Sequence, residues 1–153
     1  MKFLGVDDTE GRRRLLSVGV EFHEIGHEGS PLETEVLSDA LPEGRRHVRA
    51  TFEPSPPEPS AQNEAHCAWH INGVDEAHTI TSGTGIMQFW TDEGAVTVLA
   101  EPGDLLVNRG AEHRFRPLTD QQLRLRHSGD TDDFGAVDTG RTPDPWPEVP
   151  SQS

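Results

Sequence analysis

Residues 76–100 read EAHTITSGTGIMQFWTDEGAVTVLA, and three β-branched, apolar runs, 76–81, 85–90 and 95–100, are separated there only by glycine-bearing turns. Each run is too short for a helix. Gly83 and Gly85 mark one tight turn and residues 92–94 the next. The pattern continues outward from this meander. Downstream, 104–108, 113–116 and 122–127 read as strands, with Pro102 and Gly103 at the turn into the first; upstream, 46–52 and 65–71 do the same. In 46–52, Val48, Ala50 and Phe52 share one face while His47, Arg49 and Thr51 share the other, as in a half-buried strand. Seven or more short strands at close spacing imply an all-β sandwich or barrel.

The flanks carry weaker patterns. Residues 15–25 read as a strand pair or edge ribbon, and 31–41 has room for a short helix. The proline density of 54–64, PSPPEPSAQNE, excludes helix and central strand and leaves a loop or covering arm. The expected organisation is therefore N-terminal strands and a lead-in segment over 1–45, a barrel over 46–130, and an irregular Pro-rich tail over 131–153 with Trp146 pinning it to the body. Arg114, Arg116, Arg124 and Arg126 alternate with Phe115, Leu123 and Leu125, which reads as the solvent face of a hairpin.

Composition narrows the function classes. At 153 residues the chain is expected to form one domain. Its 27 acidic against 13 basic residues, a net charge of −14, include no basic stripe that would follow a phosphate backbone, so nucleic acid is not an expected partner. Cys67 is the single cysteine, which excludes an internal disulfide and a cysteine-rich zinc site and points to a reducing compartment. No stretch approaches the length of a membrane span. These features suggest a soluble cytoplasmic protein without a membrane partner.

Alternation also says which residues point the same way. His66, Ala68, His70 and Asn72 form one set along 65–71, and Glu76, His78 and Ile80 form another that faces inward with its apolar member. An interior would then receive His66, His70, Glu76 and His78, with His113 from a third strand. Imidazoles and a carboxylate gathered inside a barrel need compensation, because unpaired buried polar groups are costly. A metal ion supplies it. Two histidines and one carboxylate on one face of an ion suit iron(II), although nickel, manganese and zinc accept similar ligands. His70, Glu76 and His113 suffice for such a set. His78 is either a fourth ligand or a hydrogen-bonded residue orienting substrate, and His78 and Glu76 are the candidates to move protons.

The remaining polar and aromatic residues have simpler readings. On an extended strand His66 would lie about 13 Å from His70, at roughly 3.3 Å per residue, too far to share an ion. His66 is then a substrate-pocket residue, as are Gln88 and Phe115. Asn72 either lines the pocket or belongs to an Asn-Gly turn. His23, His27, His47 and His127 read as surface residues.

Together these residues resemble the cupin pattern. The first cupin motif has His-x-His, three or four residues, Glu, six residues and Gly. His70, Glu76 and Gly83 fit that spacing here, with Asn72 in the place of the second histidine. The second motif opens on glycine and closes on a ligand histidine. It is similar to residues 103–115, GDLLVNRGAEHRF, which are one residue shorter than usual and lack the usual proline. Small single-domain cupins of actinobacterial and fungal specialised-metabolite pathways have a similar second motif, including the Arg-Gly that is Arg109-Gly110 here. This resemblance spans about residues 46–127. A second and shorter one is to the acireductone dioxygenases, over residues 70–85 and the Trp-Pro segment at 144–147, with Asn72 again the departure.

The resemblance implies a single-domain cupin barrel, a double-stranded β-helix of jelly-roll type, that pairs as a homodimer through edge strands. It also implies a divalent first-row metal, Fe(II) favoured, and a small-molecule substrate. Chemistry then leans towards an oxygenase of specialised metabolism. The alternatives are a non-redox decarboxylase, cyclase or isomerase, and a metal-poor cupin that binds a ligand without converting it.

Overall fold

A computed structural model describes residues 2–42, 46–57, 65–129 and 134–149. In chain order the elements are β1 (Phe3–Leu4), α1 (Asp8–Leu16), β2 (Val20–Glu24), α2 (Pro31–Ala40), β3 (Arg46–Phe52), β4 (His70–Ile71), β5 (Glu76–Ser82), β6 (Gly85–Thr91), β7 (Gly94–Ala100), β8 (Asp104–Asn108), β9 (His113–Pro117), β10 (Gln122–Ser128) and β11 (Val137–Asp138). The strands form two antiparallel sheets, ordered β1-β7-β6-β9-β4-β11 and β2-β8-β5-β10-β3. Residues 58–64 of the proline-rich segment lie outside the described residues, as do 131–133 and 150–153 of the tail.

The glycine turns read from 76–100 join β5, β6 and β7. Gly83 has φ +72°, and a Cβ there would run into the Gln121 carbonyl, so both backbone angle and space require glycine. β6 and β7 pair along their whole length from Gly85↔Ala100 to Thr91↔Gly94, whereas β5 crosses to the other sheet to pair with β8 and β10. That crossing makes two layers from a sequential run of strands.

The N-terminal segment supplies strands to both sheets, β1 against β7 and β2 against β8. Where a strand pair or ribbon is expected over 15–25, the structure has the end of α1 and then β2 alone. α1 carries little apolar periodicity. It is held by the Asp7 cap, whose side chain accepts from the Glu10 amide at 2.8 Å, and by Gly11 lying directly against the Phe3 ring. α2, the helix expected over 31–41, starts at a Ser30 cap with Pro31 in its first turn. It buries Val36, Leu37 and Ala40 against the outward side chains Ala77, Leu105 and Val107 of the second sheet. Each fully buried aliphatic side chain contributes about 1.5–3 kcal/mol.

Inside the sandwich, Phe3, Leu15, Val20, Phe22, Ile80, Met87, Phe89, Val96, Val98 and Leu106 form the main core. Cross-strand partners fix which neighbours share that interior. His78 pairs with Leu106 and Arg126, Ile80 with Arg124, and Phe89 with His113. A third cluster, on the outer side of the first sheet, joins Trp146 of the tail to Cys67, Ile86 and Leu99.

The register overturns the solvent-face reading of the arginines. β9 and β10 belong to different sheets, so they do not form a two-stranded ribbon with one wet face. Arg124 and Arg126 point into the interior, and Leu123 and Leu125 point out. Arg114 is on the outer face but is 1% exposed. The tail covers it: its guanidinium carbon is 3.9 Å from the Trp146 ring centroid and its Nη2 donates to the Asp144 carbonyl at 2.9 Å. His127 is also corrected, from surface to 4% exposed; it lies beneath α2, with Nε2 3.0 Å from Thr79 Oγ1, which donates to Glu33 Oε2 at 2.7 Å.

Candidate functional site

One end of the sandwich interior is left open as a cavity of about 260 Å³, lined by Phe52, His66, His70, Asn72, Glu76, His78, His113, Phe115, Arg126, Ala136 and Asp138. Five strands, a 3-10 turn and the tail bring these residues together. Glu76 and His78 alternate inward on β5, His70 on β4 is the cross-strand partner of His113 on β9, and Arg126 comes from β10. Ala136 and Asp138 belong to the tail segment that closes the rim.

The turn before His113 is built by its own sequence. Asn108 Oδ1 accepts from the Ala111 amide at 2.8 Å and closes the Arg109-Gly110 turn, where Gly110 has φ +91°. The Nδ1 of His113 is then 2.8 Å from the Ala111 carbonyl, and the Nδ1 of His70 is 2.8 Å from the Ala68 carbonyl. Donation from Nδ1 to the Ala68 carbonyl leaves Nε2 of His70 as its lone-pair nitrogen; the Nδ1 of His113 also has Asn108 Nδ2 at 3.0 Å, so its lone pair stands on Nε2 in the tautomer that donates to Ala111. That second hydrogen bond is the one by which metal-ligating histidines are usually oriented.

Glu76 is the hub. Its Oε1 lies 3.3 Å from His78 Nε2 and 3.4 Å from His113 Nε2, and its Oε2 lies 3.4 Å from Arg126 Nη2. Both nitrogen–oxygen separations exceed good hydrogen bonds, yet two donors held at roughly 2.1 Å by one ion stand about 3.0–3.4 Å apart. Polar atoms without partners among the described residues collect here too: both ring nitrogens of His78, Nε2 of His66 and Oδ1 of Asn72 are buried without a hydrogen bond. The donor set thus fits a metal ion chemically. Among the described residues, no group of three or more His, Cys, Asp or Glu side chains already has ion-holding spacing. Some side-chain adjustment would therefore accompany binding.

The electrostatics favour the same protonation states that a metal requires. Burial alone would raise the Glu76 carboxyl, but the surrounding His78 and His113 outweigh it and hold the group well below its ordinary range. Burial pushes His78 down to about 4, against the pull of Glu76, and pushes His66 down to about 4 with help from Arg124. His70 is lowered by burial and by His113. At neutral pH Glu76 is an ionised carboxylate and His66, His70 and His78 are neutral imidazoles, which is the ligating form of both groups.

The other sequence candidates divide. Phe115 lines the cavity with His66 stacked on it, ring centroids 4.3 Å apart. His66 arrives from a 3-10 turn at Ala65–Cys67, because 65–71 is not one strand; only His70–Ile71 is extended. Asn72 ends that strand and still lines the cavity, donating from Nδ2 to the Phe134 carbonyl at 3.1 Å. Gln88 is misassigned by the pocket reading. It points to the outer face with Ile86, donating to Thr97 Oγ1 at 3.0 Å and accepting from Arg114 Nε at 2.7 Å. Sequence reasoning misses Arg126, Arg124, Asn108 and the rim residues of the tail. For Arg126 and Arg124 the signal was present in the shared parity with the Val48-Ala50-Phe52 face of the neighbouring strand, since Arg126 pairs with Val48 and Arg124 with Ala50.

No family model matches the chain, and no curated protein matches its sequence. Among solved structures, the chain is similar to an acireductone dioxygenase from Bacillus anthracis with a cadmium ion in its active centre. The TM-score is 0.62 and the identity 20%, over 89% of this chain and 95% of that one. An oxalate decarboxylase from Bacillus subtilis also matches, with TM-score 0.48 and 17% identity, over 78% of this chain and 27% of that one. The two antiparallel sheets and the first of these likenesses define the fold class: the chain has the cupin fold, an all-β jelly roll. At these identities the likeness is one of fold, and fold alone does not fix chemistry.

Proposed function

We infer that this protein is a metal-dependent cupin enzyme acting on a small organic molecule inside the barrel. The observation that carries the reading is the convergence of His70, Glu76, His78 and His113 on one cavity, with buried imidazole nitrogens left without partners. His70, Glu76 and His113 would hold a divalent first-row metal, leaving His78 outside the ligand set to move protons. Fe(II) and oxygenase chemistry suit two histidines and a carboxylate best, ahead of a non-redox decarboxylase, cyclase or isomerase. When bound, such an ion supplies a Lewis-acid centre and, if it is iron, a means of using dioxygen.

The chain's own residues account for the rest of the work. Glu76, ionised and buried, offers negative charge at the cavity floor. His78, neutral and without a partner, takes a proton from a bound ligand at Nε2 and returns it, beside Glu76 Oε1. Phe52, Phe115 and His66 keep water from one wall, and Asn72 ties the tail segment to the rim. The resemblance of residues 103–115 to pathway cupins and the single cysteine support a cytoplasmic homodimer of specialised metabolism.

A metal-poor ligand-binding cupin is the second reading. It is favoured by Asn72, which stands in the place of the motif's second histidine and spends its Nδ2 on Phe134. Elemental analysis of protein purified without a chelating tag, as isolated and after reconstitution with Fe(II), Mn(II), Ni(II) or Zn(II), decides between them. Stoichiometric metal that is lost in His70→Ala and His113→Ala supports the enzyme. Failure of all four ions to bind would sink it in favour of the second reading.

A further inference from the structure

The cavity carries an imbalance of buried charge that metal ligation does not explain. Glu76 is its buried carboxylate, and two guanidiniums from β10 share the same interior face. Arg126 lines the cavity with its guanidinium carbon 4.0 Å from the Phe134 ring centroid. Its Nη2 reaches Glu76 Oε2 only at 3.4 Å, longer than a charge-assisted hydrogen bond, and its Nε is buried without a partner among the described residues. Arg124 lies deeper, 1% exposed, with its guanidinium 3.9 Å from the centroid of the cavity-lining Phe115. Its fork is met by the neutral Gln122 Oε1, Nη1 has no partner, and among the described residues no carboxylate forms an ion pair with it. Uncompensated buried cations are disfavoured unless something anionic completes them. Asp138 does not do so: it is exposed on the rim and its Oδ1 accepts from the Gly140 amide at 2.7 Å.

We propose that the ligand of this cavity is a small organic carboxylate, whose anionic group is received by Arg126 with the buried charge of Arg124 behind it. A guanidinium is a planar fork that matches a carboxylate, and the Nε of Arg126 is a donor with no acceptor among the described residues. The apolar part of the ligand has the wall of Phe52, Phe115 and the stacked His66 to lie against. A volume of about 260 Å³ is below the roughly 300–1,000 Å³ of pockets for drug-sized ligands and limits the ligand to a small acid. The proposal rests on reading this cavity as the reaction site, but not on the presence of a metal.

Isothermal titration calorimetry tests it with acetate, pyruvate, oxalate and benzoate, and with benzamide as the neutral partner of benzoate. Wild-type protein, Arg126→Gln and Arg126→Lys are compared, each metal-free and metal-loaded, with metal content measured in parallel. At least one acid should bind saturably to metal-free wild type, and benzoate should bind at least tenfold more tightly than benzamide. Arg126→Gln should abolish the preference for the acid and Arg126→Lys should retain part of it, with metal content unchanged in both. Absence of saturable binding by all four acids, or an acid preference that survives Arg126→Gln without metal, overturns the proposal while leaving the metal reading in place. An Arg126-dependent acid preference in a protein that binds no metal does the reverse.

Discussion

His70 and His113 face each other as a cross-strand pair, ring centroids 4.3 Å apart, and each has its Nδ1 2.8 Å from a carbonyl two residues earlier, Ala68 or Ala111. Repetition of the same local device on two strands orients both rings towards the cavity. Removing either imbalances the donor set, so His70→Ala and His113→Ala are each expected to abolish stoichiometric metal retention. Asn108→Ala leaves every ligand in place but removes the side chain that holds the turn and stands 3.0 Å from His113 Nδ1, and a loss of about 10–100-fold in metal affinity is expected. Competition titration against a chelator of known affinity measures both. Unchanged affinity in Asn108→Ala would show that His113 needs no support from that turn.

Buried Arg124 is held by Gln122 Oε1 rather than by an ion pair, which gives the two residues opposite mutational signs. Gln122→Ala strands a buried guanidinium and is expected to cost about 2–3 kcal/mol. Arg124→Met removes the charge along with its desolvation burden, and is expected to be neutral or stabilising by up to about 2 kcal/mol. Burial already pushes the Arg124 guanidinium down to about 9, with Arg126 adding to the effect. Urea unfolding of the two variants measures the difference; a larger cost for Arg124→Met than for Gln122→Ala would mean that the charge is retained for folding and not for binding.

The strands and the histidine cluster were legible because alternation and glycine turns act locally. Glu76, His78 and Ile80 face inward together on one strand, and no tertiary information is needed to see it. What local pattern does not carry is which strands become neighbours. The alternating arginines of 114–126 resemble one wet face because they are close in sequence, whereas β9 and β10 lie in different sheets and the tail covers Arg114 from outside. Gln88 failed for the same reason: as an isolated polar residue in a strand, it gives no sign of which face it occupies until Arg114 and Thr97 are found beside it. α1 has no apolar stripe to show in the sequence, because it is held by a cap, by charge pairs and by one glycine contact.

The charge pairs of α1 give a pH signature. Glu10 accepts from Arg13 Nε at 2.9 Å and Nη2 at 2.6 Å and from Arg14 Nε at 2.9 Å, and these bonds, Arg13 first, lower its carboxyl from 4.5 to about 2. A carboxyl lowered in the folded state contributes stability that is complete above the unfolded value and is lost as pH falls through the folded one. Glu10→Gln should therefore be less stable than wild type at pH 7, by a small amount because the group is exposed. The gap should close between about pH 4.5 and 2. Urea midpoints of both proteins across that range measure it, and a gap that widens on acidification would contradict the assignment.

The Trp146 segment and the rim segment of the tail are attached through different residues, and the two should separate on mutation. Residues 141–149 are held by Trp146, which packs with Cys67, Ile86 and Leu99 and receives the Arg114 guanidinium at 3.9 Å. The rim segment is held elsewhere, by Asn72 Nδ2 and the Gly73 amide donating to the Phe134 carbonyl at 3.1 Å and by the Thr139 amide donating to the Trp69 carbonyl at 3.0 Å. Truncating a buried tryptophan costs about 3–5 kcal/mol in a core, but here the loss is absorbed by local release of the segment rather than by global unfolding. Trp146→Ala should make 141–149 the first site of limited proteolysis while leaving the Gly73 amide protected from hydrogen exchange. Asn72→Ala should do the opposite, loosening Phe134 and the cavity rim with 141–149 still resistant. Simultaneous loss of protection at both places in either variant would show that the tail moves as one unit, and that the rim of the cavity depends on Trp146.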